Sequence, residues 1–307
     1  PMQERSGKPW ASHVEGRFHG CGHDGHTTTL LYAAEYLART RQFTGTLQLI
    51  FQPAEELLYG GRVMVEDGLF DRFPCDAIFG LHNMPGQPLG KIGLRDGAMM
   101  ASSDTLHIEV KGVGGHGAVP EHTVDATLVA CHITLALQSI VSRNITPFEP
   151  AVVTVGSIQA GHAPNIINDH VLMKLTVRTL NEQVRETVLQ RIHDIAVAQA
   201  ESFNATATLT HVNGSPVLRN DPATNAMVRE VATALLGAEQ VGEVKPFMGS
   251  EDFAFMLEQH PHGSYFTIGA GDEPDRCMVH NPGYDFNDAL LLTGAALWCG
   301  LAEHYLR

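Results

Sequence analysis

The sequence predicts an α/β fold, in which an α/β/α domain is interrupted by an inserted ferredoxin-like α+β domain. Buried-strand patterns alternate with amphipathic helix patterns at both ends of the chain. In the middle, alternating strands and helices follow one another in the order β-α-β-β-α-β, which is typical of a ferredoxin-like unit. The inserted domain is therefore predicted at residues 100–214, and the discontinuous domain at residues 1–99 and 215–307.

The N-terminal part begins with a helix and two strands that converge. "TTTLLYAAEYLART" has apolar residues at helical spacing from Leu30 to Leu37, with a threonine available as cap. "TLQLIF" predicts a buried strand that ends before Pro53, "GGRVMVEDGLF" a helix, and "DAIFGLH" a second strand. The two strand ends, near Gln52 and His82, are expected to meet at one edge of the sheet, where ligand sites of α/β folds usually form.

The inserted domain and the C-terminal part are predicted from equally regular patterns. The inserted strands are "DTLHIEVKG", "AVVTVGSIQAG", "VLMKLTVRTL" and "ATATLTHVNG", and the inserted helices are "VDATLVACHITLALQSIVSRN" and "NEQVRETVLQRIHDIAVAQAESF". The first of these helices is apolar nearly all round, so it needs cover on two sides. The C-terminal elements are the helix "DPATNAMVREVATALLG", the strand "SYFTIGAG" and the helix "DALLLTGAALWCGLAEHYL".

Composition excludes several classes of protein. The net charge of −14 argues against binding nucleic acid through its phosphates. No run of about eighteen apolar residues is present, so no contact with a membrane is expected. The five cysteines are odd in number and scattered, which favours a reducing compartment, and no signal peptide is visible; we therefore expect a cytoplasmic protein.

Metal-binding side chains are concentrated at the start of the first helix and after the first strand. Cys21 and His23 are separated by one glycine, a loop spacing that lets a thiolate and an imidazole face one divalent ion. Glu55 and Glu56 are adjacent carboxylates that repel each other if both are ionised in a confined site, and a metal relieves that repulsion. Each pair alone also fits an ordinary turn or a solvated loop.

Two further histidines complete the pattern. His82 follows an apolar strand, and His280 lies in the Gly/Pro-rich loop "VHNPGYDF" before the last helix. A lone histidine is more often hydrogen-bonded in the core than bound to a metal. The joint occurrence of Cys, His, Glu, His and His at loops after predicted strands is far less probable by chance.

Eight stretches carry a resemblance to a known family. In order along almost the whole chain they are "HGCGHDGHTT", "FQPAEE", "FGLHNMPG", "GVGGHGAVP", "LQSIVSRN", "VRTL", "MGSEDFAFML" and "VHNPGYDFND". With these motifs the sequence resembles the M20 metallopeptidase clan, and within it the aminoacylase and hippurate-hydrolase branch. The resemblance implies a zinc-exopeptidase-like catalytic domain and a hydrolase that cleaves the amide bond of N-acyl amino acids into a carboxylic acid and a free amino acid.

The resemblance also implies a two-metal site. It predicts two divalent ions per subunit, which are zinc, manganese, nickel or cobalt, held by Cys21, His23, Glu56, His82 and His280. In this scheme Cys21 bridges both ions and Glu55 is the general base.

By the same resemblance the inserted domain is a lid that also forms a homodimer. His116 in "GGHGA" matches a lid histidine that stabilises the oxyanion, in related enzymes from the partner subunit. Asn165 and Arg178 match positions that hold the substrate carboxylate or carbonyl. The expected partner molecules are thus a small N-acyl amino acid and a second copy of the chain.

Alternatives remain open at the level of the sequence. The same chemistry suits N-acetyl-diaminopimelate, aminobenzoyl-glutamate or a dipeptide. Cys21 with His23 or His26 resembles a cysteine nucleophile and its base. A zinc-stabilised interaction protein or an inactive metal-binding fragment is a further alternative, since family members carry a longer N-terminal segment, and Pro1 aligns with its end. On that alignment the chain is expected to lack strands of the catalytic sheet and an acidic residue near the metals.

Overall fold

A computed structural model describes residues 2–307, which form twelve strands and eight α-helices. The helices are α1 (His23–Thr40), α2 (Gly60–Glu66), α3 (Leu69–Arg72), α4 (Ala126–Ser139), α5 (Glu182–Ser202), α6 (Pro222–Leu236), α7 (Phe253–Gln259) and α8 (Leu290–Tyr305). The strands are β1 (Ile78–Pro85), β2 (Ile92–Leu94), β3 (Gly97–Met100), β4 (Ser103–Lys111), β5 (Gly115–His116), β6 (Ala151–Ala160), β7 (Ile166–Ile167), β8 (His170–Thr179), β9 (Thr206–Ser215), β10 (Leu218–Asn220), β11 (Val241–Glu243) and β12 (Gly263–Gly271).

The main sheet is mixed and has the strand order β1-β12-β2-β11. β1 runs parallel to β12, with His82 opposite Thr267, whereas β12 and β2 are antiparallel. Every residue of β12 is buried, as expected for a strand covered on both faces. Helices α1 and α8 pack so closely that a Cβ atom at Gly294 would lie 2.5 Å from Cγ2 of Thr29. Residues of α6 and α8 pack on β2 and β12 in one apolar cluster, so the sheet has helical cover of the kind that the alternating pattern predicts.

The inserted unit, residues 103–215, contains the antiparallel sheet β6-β8-β4-β9. Its first and third strands, β4 and β8, are the central pair, which is the ferredoxin-like arrangement. The apolar sides of α4 and α5 cover this sheet through Val129, Ile133, Leu137, Val188 and Ile192. Both connections to the rest of the chain leave from adjacent strands, because Ser103 pairs with Ser215.

The predicted strand at residues 46–51 is wrong for this structure, since none of these residues is hydrogen-bonded into a sheet. A cavity of about 860 Å³, lined by Leu47, Leu49, Ile50 and Phe51 on one side, separates them from β1. Within residues 2–307, β1 hydrogen-bonds as a strand only to β12, so its other edge faces this cavity. The apolar alternation is present, but the backbone partner that a strand needs is not.

Two helix predictions also need correction. The first helix begins at His23, with Gly22 in a left-handed conformation before it, and no threonine caps it by a side-chain hydrogen bond. The single helix predicted from "GGRVMVEDGLF" is split into α2 and α3 by Gly68, which has a φ of 84°. Glycine in the left-handed region typically ends a helix.

Helix α4 continues as a π-helical turn to Asn144. By length and composition alone, the continuous helix Ala126–Asn144 would be long and apolar enough to cross a membrane. One side of it packs on the inserted sheet, whereas Leu128 and Leu135 on the other side are exposed, the latter by 71%. Of the two sides of α4 that were expected to be covered, one packs on the inserted sheet and the other is exposed in the single chain.

Candidate metal centre

Five side chains that the sequence analysis assigned to metals lie together in two overlapping groups. Cys21, His23 and His82 form one group, and Cys21, Glu56 and His280 form the other. Within each group the candidate ligand atoms lie within 4.8 Å of one another. Because Cys21 belongs to both groups, its sulfur is placed where a ligand shared by two ions would have to be.

The first group joins the mouth of α1 to β1. Gly22, with a φ of 89°, turns the chain between Cys21 and His23 in a conformation that favours glycine. The Cys21 Sγ atom lies 3.3 Å from Nε2 of His82. His82 Nδ1 lies 2.5 Å from the carbonyl oxygen of Asn83, which can only accept, so Nδ1 carries the proton and Nε2 presents its lone pair to the site.

The second group joins two strained loops. Glu56 lies in a short 3₁₀ turn, Glu55–Leu57, which is flanked by Ala54 and Leu58 with left-handed φ values of 52° and 50°. His280 is also left-handed, with a φ of 62°, and its Nε2 lies 3.3 Å from Oε1 of Glu56. Such conformations cost about 1–3 kcal/mol each and tend to occur at functional sites.

The inserted unit touches the same turn. The Asn213 side-chain amide at the end of β9 donates a 3.0 Å hydrogen bond to the carbonyl oxygen of Leu57. The turn that carries both glutamates is therefore bonded to the inserted unit as well as lying beside the ligands of the discontinuous domain.

Glu55 faces a second cluster of acidic side chains. Its carboxylate lies within 4.8 Å of those of Glu251 and Asp252, both of which are buried. Glu251 accepts a 2.8 Å hydrogen bond from the hydroxyl of Tyr265, and Asp252 accepts one of 2.6 Å from the backbone of Gly61. The cluster is thus held rigidly beside Glu55.

Burial dominates the electrostatics of the site. Burial, together with Glu251 and Glu56, raises the pKa of Glu55 to about 9. Burial and the carboxylates of Glu56 and Glu55 raise the pKa of the Cys21 thiol well above its usual value. Burial and the imidazole of His82 lower the pKa of His23 to about 4. An unassisted cysteine nucleophile needs the opposite shift, so this environment argues against the Cys21 alternative.

The donor set fits divalent metal ions. Thiolate, imidazole and carboxylate together suit a borderline-soft ion such as zinc, and also manganese, cobalt or nickel. His23 Nε2 is buried and has no hydrogen-bond partner, although it lies 3.6 Å from Oε2 of Glu55. A cation would give this nitrogen a partner and would neutralise carboxylates that are otherwise confined together.

The remaining predicted site residues are not brought into these groups. His116 lies on β5, exposed, and Asn165 is next to it, its carbonyl accepting a 2.9 Å hydrogen bond from the amide of Gly117. Arg178, on β8, donates to the carbonyl oxygen of Val177 at 2.9 Å, within the inserted sheet. Among residues 2–307, the clustered metal-capable side chains include neither His116 nor any other residue of the inserted unit.

Several residues of the site were not predicted. They are Asn83, Glu251, Asp252 and Tyr284, all of which line or support the two groups. His26, which the sequence analysis named only as a possible base for Cys21, supports the groups through Asn83. The adjacent acidic residues in "GSEDFAF", directly before an apolar helix, were the available signal for Glu251 and Asp252. Asn83 and Tyr284 gave no signal beyond their position next to predicted ligands.

Comparison of the whole sequence with known proteins identifies the family of this chain. The model of peptidase family M20/M25/M40 matches residues 1–304. A hippurate hydrolase of Campylobacter jejuni is 42% identical over 100% of this chain and 79% of its own length. An N-acetyl-L-cysteine deacetylase of Bacillus subtilis is 37% identical over 95% of this chain and 68% of its own.

A solved structure agrees with the sequence comparison. A Bacillus subtilis protein described as a dinuclear metal binding peptidase from the M20 family superposes with a TM-score of 0.83 at 32% identity, over 100% of this chain and 78% of its own. The chain therefore belongs to peptidase family M20/M25/M40 and is a hydrolase of amide bonds. The predicted family and α/β fold class are confirmed.

Proposed function

We propose that this protein hydrolyses N-acyl amino acids, in the manner of a hippurate hydrolase or N-acetyl-amino-acid deacetylase, with two divalent metal ions per subunit. The observation that carries the proposal is the pair of donor groups that share Cys21, with Glu55 beside them. The names of the similar proteins support an N-acyl amino acid as the substrate class, and the dinuclear description of the solved relative supports two ions.

The ligands in this proposal are Cys21, His23, Glu56, His82 and His280. When bound, the ions supply the positive charge that makes a water molecule acidic enough to react near neutral pH and that polarises the amide carbonyl. The same charge stabilises the ionised forms of Cys21 and Glu55, whose pKa values are raised by burial in its absence.

Glu55 moves the proton in the proposed reaction. Its carboxylate takes a proton from the attacking water as the oxygen bonds to the amide carbon. It then gives that proton to the nitrogen as the C–N bond breaks, so that the amine leaves neutral. Glu55 suits this role because it lies within 4.8 Å of one member of each donor group, His23 and Glu56, without belonging to either group that contains Cys21.

The inserted unit acts as a lid and dimer interface in this proposal. β6 is an edge strand of ten residues. Phe148, in the loop before β6, and Leu135, on the face of α4 that points away from the sheet, are exposed by 94% and 71%. A long free edge and exposed apolar side chains are both suited to pairing with a second copy. The dimer would bring His116 of one subunit to the other subunit's substrate, where an imidazole can donate to the developing oxyanion.

Asn165 and Arg178 are proposed to hold the substrate. A guanidinium group can pair with the carboxylate of the amino-acid product in bidentate geometry. Arg178 is half-buried, and its Nη1 donates to the Val177 carbonyl and to the Thr176 hydroxyl within its own sheet, which leaves Nε and Nη2 as donors for a substrate.

The protein is also proposed to act in the cytoplasm. All five cysteines are free within the described residues, and Cys21 must stay reduced to bind metal. Cell fractionation with detection of the native protein would test this placement directly.

The proposed function is tested with purified protein that is stripped of metal and reconstituted. N-benzoyl, N-acetyl and indoleacetyl amino acids form the substrate panel, with N-acetyl-diaminopimelate, aminobenzoyl-glutamate and a dipeptide beside them. We expect hydrolysis of the N-acyl amino acids that is lost with chelator and restored by Zn²⁺, Mn²⁺, Co²⁺ or Ni²⁺. Full activity in protein shown to be free of metal, or a protein that binds metal and cleaves none of the panel, would contradict the proposal.

A further inference from the structure

One buried side chain on β1 is hydrogen-bonded to two other segments that carry candidate ligands, the Cys21–His23 segment with the start of α1 and the His280 loop. Asn83 follows His82 on β1 and is 0% exposed. Its amide nitrogen donates a 2.8 Å hydrogen bond to the carbonyl oxygen of Cys21. Its amide oxygen accepts a 2.9 Å hydrogen bond from the hydroxyl of Tyr284, which lies on the His280 loop.

The third histidine of the N-terminal cluster belongs to the same network. His26 Nε2 lies 3.0 Å from the backbone nitrogen of Asn83 and 3.0 Å from its side-chain nitrogen. Both partners donate, so His26 Nε2 accepts and is not available to a metal. The two protons on the Asn83 amide nitrogen are therefore both used, one on Cys21 and one on His26, which fixes the orientation of the amide.

The backbone carbonyl of Asn83 fixes the tautomer and the ring orientation of the neighbouring His82. Its carbonyl oxygen accepts the Nδ1 proton of His82, which leaves Nε2 free to face Cys21. An outer partner of this kind typically orients a ligating imidazole and fixes its tautomer.

Asn83 and Tyr284 also pack against Gly22, which lies between the candidate ligands Cys21 and His23. A Cβ atom added to Gly22 would lie 2.4 Å from the Tyr284 hydroxyl oxygen and 2.6 Å from the Asn83 amide nitrogen. Both side chains therefore touch the backbone that turns from Cys21 to His23. A shift of either would be transmitted to these two ligands.

We propose that Asn83 and Tyr284 are positioning residues that hold the Cys21 loop, β1 and the His280 loop in register for metal binding. The inference deepens the proposed function, because it rests on metal binding by these loops. Neither side chain is a ligand in it. Removing the outer partner of a ligand typically lowers metal affinity about 10- to 100-fold.

The test measures metal binding and stability separately. Tyr284→Phe deletes one hydroxyl, and Asn83→Asp replaces the donor to Cys21 by an acceptor. For each, competition with a chromophoric chelator gives the Zn²⁺ and Co²⁺ affinities. The visible spectrum of the Co²⁺ form reports the geometry at the thiolate, and thermal unfolding of the metal-free protein reports the fold. Asn220→Asp is the matched control, since Asn220 is another buried asparagine whose amide bonds the carbonyl oxygens of Arg95 and Tyr265, at 2.9 and 2.8 Å.

We expect Tyr284→Phe to lose about 10-fold in metal affinity and to change the Co²⁺ spectrum, with a smaller loss of metal-free stability than Asn220→Asp. Asn83→Asp should lose more affinity, and Asn220→Asp should lose stability while keeping wild-type affinity. Unchanged affinity and spectrum in Tyr284→Phe would overturn the inference, even if Asn83→Asp fails to fold. A wild-type protein that binds no divalent metal would instead overturn the proposed function, and the inference with it.

Discussion

The Nε2 atom of His23 lies 3.6 Å from Oε2 of Glu55, just beyond hydrogen-bond distance. Glu56 is the next residue, yet its carboxylate faces His280 at 3.3 Å. Both glutamates lie within 4.8 Å of His23, but only Glu56 also belongs to the group of Cys21 and His280. Substituting each should therefore have a different effect.

Glu55→Gln should keep bound metal and lose activity, because the amide cannot take the proton from water. Proton-transfer groups typically contribute about 10²- to 10⁴-fold to the rate. Glu56→Gln should bind less metal than wild type, because the substitution removes a charged oxygen from the group that contains Cys21 and His280. Metal content by atomic spectroscopy and kcat on an N-acyl amino acid distinguish the two. The reverse pattern would mean that the roles of the two glutamates are exchanged.

The stability of the metal-free protein should fall as pH rises from about 7 to about 9. Glu55 has a folded pKa of about 9, above the value near 4.3 of an unfolded chain, so the folded state holds the extra proton in this range. Stability is therefore lost as Glu55 ionises.

Urea unfolding across this pH range measures the effect. Glu55→Gln should flatten the slope, whereas Glu186→Gln, at an exposed position on α5, should leave it unchanged. An equal slope in wild type and Glu55→Gln would remove Glu55 as the source of the pH dependence.

Gly60→Ala should displace the glutamate turn. An added Cβ atom would lie 1.4 Å from the carbonyl oxygen of Pro53, so the backbone before Glu55 must move. Overpacking of this kind costs about 1–3 kcal/mol of stability, and the movement should also weaken metal binding. At Gly242 the nearest atom is 3.5 Å from the added Cβ, so Gly242→Ala is the control. Metal affinity equal to wild type in Gly60→Ala would show that the turn tolerates the shift.

Mixed dimers test whether His116 acts across subunits. His116→Ala and Glu55→Gln should each be nearly inactive as homodimers. If His116 serves the other subunit's site, a heterodimer contains one site with both residues intact, and part of the activity returns on subunit exchange. Native mass spectrometry confirms the exchange. No recovery in exchanged heterodimers would place His116 in its own subunit's site or outside catalysis.

The sequence predicted best the elements with a long apolar pattern and the helices, whose backbone hydrogen bonds are made within the same segment. α5, α6, α8 and the four long strands of the inserted unit lie where the periodicity placed them. The strand at residues 46–51 was not found, because apolar alternation describes a side-chain pattern and not the backbone partner that makes a strand. Short strands such as β2 and β11 carry too few residues for a periodic signal.

The candidate ligands could be proposed from the sequence because metal ligands need rare side chains at loops. The residues that hold those ligands in place could not be proposed from the sequence. Asn83 is recognisable only once the fold brings it to Cys21 and Tyr284, which are distant along the chain. The same holds for the raised pKa of Glu55, which depends on Glu251 and on burial.

The pairing of Ser103 with Ser215 has a mechanical consequence. Because the chain enters and leaves the inserted unit through neighbouring strands, those two crossings define one hinge axis. A rotation about that axis would change backbone torsions beside β4 and β9 and would leave the packing of α4 and α5 on their sheet intact. It would also load the hydrogen bonds that join Ser102 to Thr179 and Val217 to Glu182. The 3.0 Å bond from Asn213, near the end of β9, to Leu57 therefore connects the inserted unit beside its hinge to the turn that carries Glu55.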